Sequence, residues 1–193
     1  MKVFVAGGAG ALGARLVPKL VEAGHEVVAT TRSQRKADAI GRLGARGMVM
    51  DGLDRESVLS AVGEARPEVI VHEMTALAEL EGQSDMRHFD RSFAMTNRLR
   101  SEGTDNLLAA AAKVGARRFV NQSYGAWPYA RTGGSVKSED DPLDPDPPKE
   151  QRQSLAAIEH LERATLEAPL EGLVLRYGAF YGPGTSEPLF GEL

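Results

Sequence analysis

Residues 1–13 read MKVFVAGGAGALG, and this opening decides the fold. An apolar, β-branched run over 2–6 goes straight into Gly7-Gly8-Ala9-Gly10-Ala11-Leu12-Gly13, after which Leu12, Leu16, Leu20 and Ala23 recur at helical spacing. A strand that breaks into glycines and at once opens a helix lets backbone approach a pyrophosphate. Gly7 permits the tight turn, Gly10 the close approach, and Gly13 the packing of helix on strand. The first amides of the helix, at Ala11 and Leu12, add unpaired donors and the positive end of the helix dipole.

Working outward, the same alternation continues. Short apolar runs at 26–30, 46–50, 68–72, 118–122 and 172–176 predict strands. The clearest helical spacings between them are Leu107/Ala110/Ala111/Val114 and Leu155/Ile158/Leu161/Thr165. Strands that read as nearly continuous apolar runs belong to a sheet covered on both faces, hence parallel with helical crossovers. Right-handed crossovers then give a doubly wound α/β sheet of Rossmann type, in order 3-2-1-4-5-6. Pro18 conflicts locally, because a proline inside a helix costs ~3 kcal/mol. The apolar spacing runs through it, so one bent helix is expected.

The length of 193 residues fits a single domain. With 42% hydrophobic and 26% charged residues, the composition is that of a globular protein and excludes collagen-like, coiled-coil and disordered chains. A net charge of −4 with no sustained basic run argues against nucleic acid or an anionic membrane surface as partner. There are no cysteines, which removes disulfides, thiolate chemistry and Cys-type zinc sites. The histidines at 25, 72, 88 and 160 show no ligand spacing, so no metal site is expected. No stretch approaches a membrane span, the glycine-broken start does not read as a leader, and a cytoplasmic location is expected.

Two further positions bear on a dinucleotide. An NAD-preferring site places a carboxylate about 20 residues beyond the glycines. Here no acid lies between Val27 and Ala37, and Arg32 stands there with Arg35 and Lys36 nearby. Charge-assisted bonds from Arg32 to a 2′-phosphate favour NADP, with NAD the alternative. After the third strand, Asp51-Gly52 offers a carboxylate to the adenine amino group, while Asp54 caps the next helix.

Taken together, VFVAGGAGALG, the Asp51 turn, VIVHEMTA, Asn97 with Gly103-Thr104-Asp105-Asn106-Leu107-Leu108, RRFVNQS and LRYGAFYGPG resemble the short-chain dehydrogenase/reductase superfamily. The resemblance is to its extended or atypical, NAD-dependent epimerase/dehydratase-like branch, and it runs over nearly the whole chain. It implies bound NAD(P) and hydride transfer at a small carbonyl or hydroxyl substrate. It also places Met74, Gln122, Tyr177 and Pro183 beside the cofactor.

The family's catalytic trio is a Ser or Thr after the fifth strand and a Tyr-x-x-x-Lys on the next helix, whose ammonium draws the tyrosine pKa toward neutrality. Ser123 matches the serine. Gln151 and Leu155 occupy the tyrosine and lysine positions, so the usual proton donor and its cation are absent. Tyr124, Tyr129 and Tyr181 could approach the crevice in their place, though no lysine sits four residues after any of them; Tyr124 and Tyr129 are the candidates, with Trp127 as pocket wall or plain packing. His72, at the end of the fourth strand, is a lesser candidate acid.

Residues 131–149 carry paired glycines, acids and prolines, and predict either a surface connection or a lid. Family members continue past the turn at Pro183 into a substrate-binding part. Here 177–193 is expected to be its short remnant, either because the natural protein is short or because the chain is truncated, and a homodimer or another partner is one way to supply the missing wall. A dinucleotide-binding sensor or scaffold without turnover is the rival to an enzyme.

Overall fold

A computed structural model describes residues 1–77, 88–125, 129–178 and 180 of the chain. Its centre is a six-stranded sheet in the order β3-β2-β1-β4-β5-β6. The strands are β1 (Lys2–Ala6), β2 (Glu26–Thr31), β3 (Arg46–Val49), β4 (Val69–His72), β5 (Arg118–Tyr124) and β6 (Glu171–Tyr177). Every pairing is parallel, with Val3 against Val27 and Val69, and Val69 against Arg118. This is the expected doubly wound arrangement. The last two strands run one or two residues beyond the expected bounds, because each remains paired to its neighbour through Ser123↔Arg176 and Tyr124↔Tyr177.

Alternate side chains of β1, β2, β4 and β5 enter two separate cores. Phe4, Ala6, Val28, Ile70 and Phe119 pack with α3 (Arg55–Ala65) and α6 (Thr104–Val114). Val3, Val5, Val27, Ala29, Val69 and Val71 face the other way, toward Val17 of α1 (Gly13–Glu22) and Ile40 of α2 (Gln34–Gly41). Both faces of the central strands are therefore withdrawn from water, as their continuous apolar reading requires. One helix passes through Pro18, as expected.

Two short helices, α4 (Phe89–Ser92) and α5 (Ala94–Arg98), lead through a π-helical turn, Leu99–Gly103, into α6. The long α7 (Arg152–Glu167) then packs against β5 and β6 on the α6 side. Asp90 fixes where α7 begins: its carboxylate accepts from the amides of Gln153 and Ser154 at 2.9 and 2.8 Å. A charge-assisted cap of this kind satisfies amides that have no partner within the helix. Deeper in, the Asn121 amide donates to Thr165 at 2.9 Å and Thr104 at 3.3 Å, which ties α7 and α6 to β5. Strand and helix ends thus converge on one edge of the sheet, the carboxyl end, where open α/β sheets bind ligands.

Candidate active site

The glycine loop is built for close approach. Gly7 adopts φ +91°, a conformation that L side chains rarely take, and a Cβ there would lie 2.8 Å from the backbone carbonyl of Glu73. At Gly13 a Cβ would be 2.5 Å from the Gly7 oxygen, so only glycine lets α1 start against the loop. Gly10 is exposed at the open side of the same turn, next to Ala11 and Leu12. No side chain caps the start of α1 and its first turn contains no acid, which leaves amides and dipole available to an anion. A dinucleotide pyrophosphate fits this cradle.

Other expected cofactor positions gather around it. Gly8 donates to the Thr30 carbonyl at 2.8 Å, which brings the end of β2, and exposed Arg32 just beyond it, beside the loop. Met74 lies on Gly52, where a Cβ would be 2.5 Å from its sulfur, so the two residues form one apolar patch after β3 and β4. Asp51 is exposed, and its Oδ1 accepts from the Leu53 amide at 2.9 Å. Asp54 caps α3 as expected, accepting from Glu56 and Ser57. Gln122 and Tyr177 are half-buried at the ends of β5 and β6. Pro183, Tyr181 and Trp127 lie outside the described residues.

The expected catalytic residues separate into two groups. Ser123, 1% exposed, donates its hydroxyl proton to Glu162 Oε1 at 2.6 Å. Glu162 holds Arg176 through both carboxylate oxygens, at 2.9 and 2.7 Å, and Arg176 donates in turn to the Tyr129 hydroxyl at 3.2 Å. Ser123 and Tyr129 are therefore members of one buried ionic network between α7 and β6. In this arrangement the serine proton is committed to a carboxylate rather than offered to a substrate. The same carboxylate raises the Arg176 pKa above its already high value, so that cation is permanent. Tyr124 belongs to the second group, half-buried at the tip of β5; burial raises its phenol pKa, and the Arg100 guanidinium pulls it back down.

His72 is corrected by its contacts. Its Nδ1 accepts from the Met74 amide at 3.1 Å, so Nε2 carries the proton and donates to the Leu99 carbonyl at 3.2 Å. Burial lowers its pKa to about 4, and a neutral imidazole with both nitrogens engaged is a strut rather than an acid. Gln151 and Leu155, expected from the resemblance at the family's tyrosine and lysine positions, lie at the end of a short 3-10 turn (Lys149–Gln151) and, 3% exposed, in the core. Neither can move a proton.

Residues 131–149 fold back on themselves. The Ala130 amide donates to the Pro142 carbonyl at 2.8 Å, Tyr129 bridges Leu143, and Arg176 reaches the Glu139 carbonyl at 3.4 Å. The loop is thus tied to the same network that holds Ser123.

Sequence reasoning missed four charged residues: Glu73, Arg100, Glu162 and Arg176. Glu162 interrupts the apolar spacing of α7 beside Leu161, and Arg176 interrupts an otherwise apolar strand; a charge at a core-facing position was the available signal. Glu73, 7% exposed, follows β4 with its Oε2 unpartnered, and burial raises its carboxyl to about 7. Among the described residues there is no cluster of metal-ligating side chains, and no helix is long and apolar enough to cross a membrane.

The comparisons with known proteins agree with this geometry. The model of the NAD dependent epimerase/dehydratase family matches residues 3–191. The chain belongs to that family. Among curated members, a 3-diazoavenalumate denitrifying reductase from a Streptomyces species is 46% identical over 186 residues, which is 96% of this chain and 58% of the relative. A 2-alkyl-3-oxoalkanoate reductase from Stenotrophomonas maltophilia (strain K279a) is 30% identical over 97% of this chain and 53% of its own length. Of solved epimerase structures, the Thermus thermophilus UDP-glucose 4-epimerase complex with NAD superposes with a TM-score of 0.74 at 26% identity, over 97% of this chain and 58% of that one. The chain therefore spans somewhat over half the length of these epimerase/dehydratase family members.

Proposed function

We propose that the chain is the dinucleotide-binding part of a reductase that delivers hydride to the diazo group of an aryl acid, with NADPH as the preferred donor. The reading rests on Gln151 and buried Leu155 standing where the family resemblance puts its proton-donating pair. A ketone that accepts hydride becomes an alkoxide and needs a proton at oxygen. A diazonium already carries the positive charge: Ar–N2⁺ and H⁻ give Ar–N=NH, which collapses to Ar–H and N2 with no outside proton. A site without a tyrosine–lysine pair suits the second reaction and not the first. The Streptomyces relative, 46% identical, bears a name describing a reductive loss of nitrogen from a diazo carboxylate.

A bound reduced nicotinamide supplies the hydride. Gly7, Gly10, Ala11, Leu12 and Gly13 would hold its pyrophosphate, Arg32 its 2′-phosphate, Asp51 and Gly52 the adenine side, with Met74, Gln122 and Tyr177 lining its course to the crevice. The network of Ser123, Glu162, Arg176 and Tyr129 positions the β5–β6 end of that crevice and anchors residues 131–149 as its flap. Half-buried Tyr124 stands at the reacting end.

The test is turnover by the purified chain with NADPH and, separately, an aryl diazonium carboxylate and a panel of ketones. Stoichiometric N2 release with NADPH loss, and no ketone reduction, is expected. Ketone reduction without N2 release overturns the reading. Tight NADPH binding with neither reaction favours a dinucleotide-binding sensor.

A further inference from the structure

Arg100 is a buried charge to which the site described above gives no role. It lies in the π turn between α5 and α6 and is only 7% exposed. Among the described residues it faces no carboxylate and donates no hydrogen bond, whereas the comparably placed Arg176 is held by Glu162 on two bonds. An isolated buried cation costs several kcal/mol, and natural cores almost always supply a partner. Among the described residues Arg100 has none, which points to what the protein binds.

Its surroundings give the place. The residue before it, Leu99, receives the His72 Nε2–H, which pins the turn against the tip of β4. Its charge acts on Tyr124 at the tip of the adjacent β5 and on His72 itself. Three residues earlier, Asn97 donates to Ser154 of α7 at 2.8 Å, next to Leu155, so the turn and the start of α7 adjoin. The guanidinium thus belongs to the ligand-binding edge of the sheet, on the side where the family's lysine has been lost. The two side chains its charge acts on are neutral: His72 is unprotonated and Tyr124 keeps its proton.

We propose that Arg100 anchors an anion subsite in the crevice, taking a pair of carboxylate or phosphate oxygens on its guanidinium fork. The fork matches two oxygens of either group with two parallel bonds. The two sources are the carboxylate of an aryl acid substrate and a phosphate of the dinucleotide. The first follows from, and rests on, the function proposed above; the second does not need it.

Calorimetric titration separates them, using 4-hydroxycinnamate, its neutral amide and NADPH on the wild-type chain, Arg100→Met and Arg100→Lys, each with and without the other ligand. For the substrate source, the wild type binds the carboxylate at least tenfold tighter than the amide. Arg100→Met erases that preference, Arg100→Lys loses part of it, and NADPH affinity stays within threefold. For the cofactor source, Arg100→Met weakens NADPH at least tenfold and the carboxylate is not preferred in any chain. In both cases Arg100→Met without ligand melts at or above the wild-type temperature, because an unpaired buried charge has been removed. Unchanged binding of both ligands, or an Arg100→Met chain that is less stable or fails to fold, overturns the proposal. Failure of the wild type to turn over a diazo compound overturns only the reaction, since all three titrations still read the subsite.

Discussion

Ser123 Oγ lies 2.6 Å from Glu162 Oε1, and through that carboxylate the serine is joined to Arg176. A residue expected to touch substrate is instead a donor inside a buried ion pair. Arg176 also reaches Tyr129 and the Glu139 carbonyl, so one carboxylate organises β5, β6, α7 and the loop at 131–149.

Ser123→Ala should therefore register first in stability. Losing a hydrogen bond to a buried carboxylate costs about 1–3 kcal/mol. Urea denaturation should show a lower midpoint at unchanged slope, with dinucleotide affinity within twofold of wild type. An unaltered midpoint combined with lost turnover would return Ser123 to the reacting atoms.

Arg32 stands exposed just past β2 and beside the glycine loop. Arg32→Ala should weaken NADPH by roughly 10–100-fold, the range for one charge-assisted contact to a phosphate. NADH should bind almost as before. Parallel titrations with the two dinucleotides decide it, and equal losses would remove the 2′-phosphate from Arg32.

His72 and Glu73 are chain neighbours with opposed titrations. Burial lowers the imidazole from 6.5 to about 4, so its contribution is present above pH 6.5 and is lost as pH falls toward 4. Burial raises the Glu73 carboxyl from 4.5 to about 7, so its contribution is full below pH 4.5 and is lost as pH rises through 7. Between those limits the two slopes oppose, and the wild type should look nearly flat. Glu73→Gln removes one slope only. It should match wild type near pH 4.5, exceed it at pH 8 by on the order of 3 kcal/mol at most, and lose stability more steeply on acidification. Thermal melts across that range read the difference.

Gly7→Ala combines a φ of +91° with a Cβ 2.8 Å from backbone. Backbone cannot yield as a flexible side chain does, so a cost of about 1–3 kcal/mol is expected together with loss of dinucleotide binding. Gly24, also at positive φ but with open space around it, makes the control: Gly24→Ala should lose stability and keep binding.

The fold was legible because period and punctuation agreed: β-branched runs, glycine turns and apolar helix stripes each specify the same layered sheet. The strand order found is the simplest doubly wound one that right-handed crossovers allow. The glycine loop was legible too, since its tight turn depends on glycines at fixed offsets. The chemistry was less so. Whether Ser123 faces a crevice or a carboxylate depends on Glu162, 39 residues away, and no local pattern carries that pairing. The same holds for His72, whose tautomer is set by Leu99 across 27 residues. Arg100 could be read as one more charge on a helix until its turn was seen to bury it.

That turn has a consequence in register. A π turn holds one residue more than the α-helix it interrupts. Removing any single residue from 99–103 would restore the regular helical ladder, at about 100° per residue. Everything before it would swing by more than a quarter turn relative to α6, taking the Leu99 carbonyl from His72 and Arg100 from the crevice. The spacing of this helix thus fixes the placement of His72 and Arg100, which is invisible to any survey that exchanges side chains one by one and open to a scan of single-residue deletions.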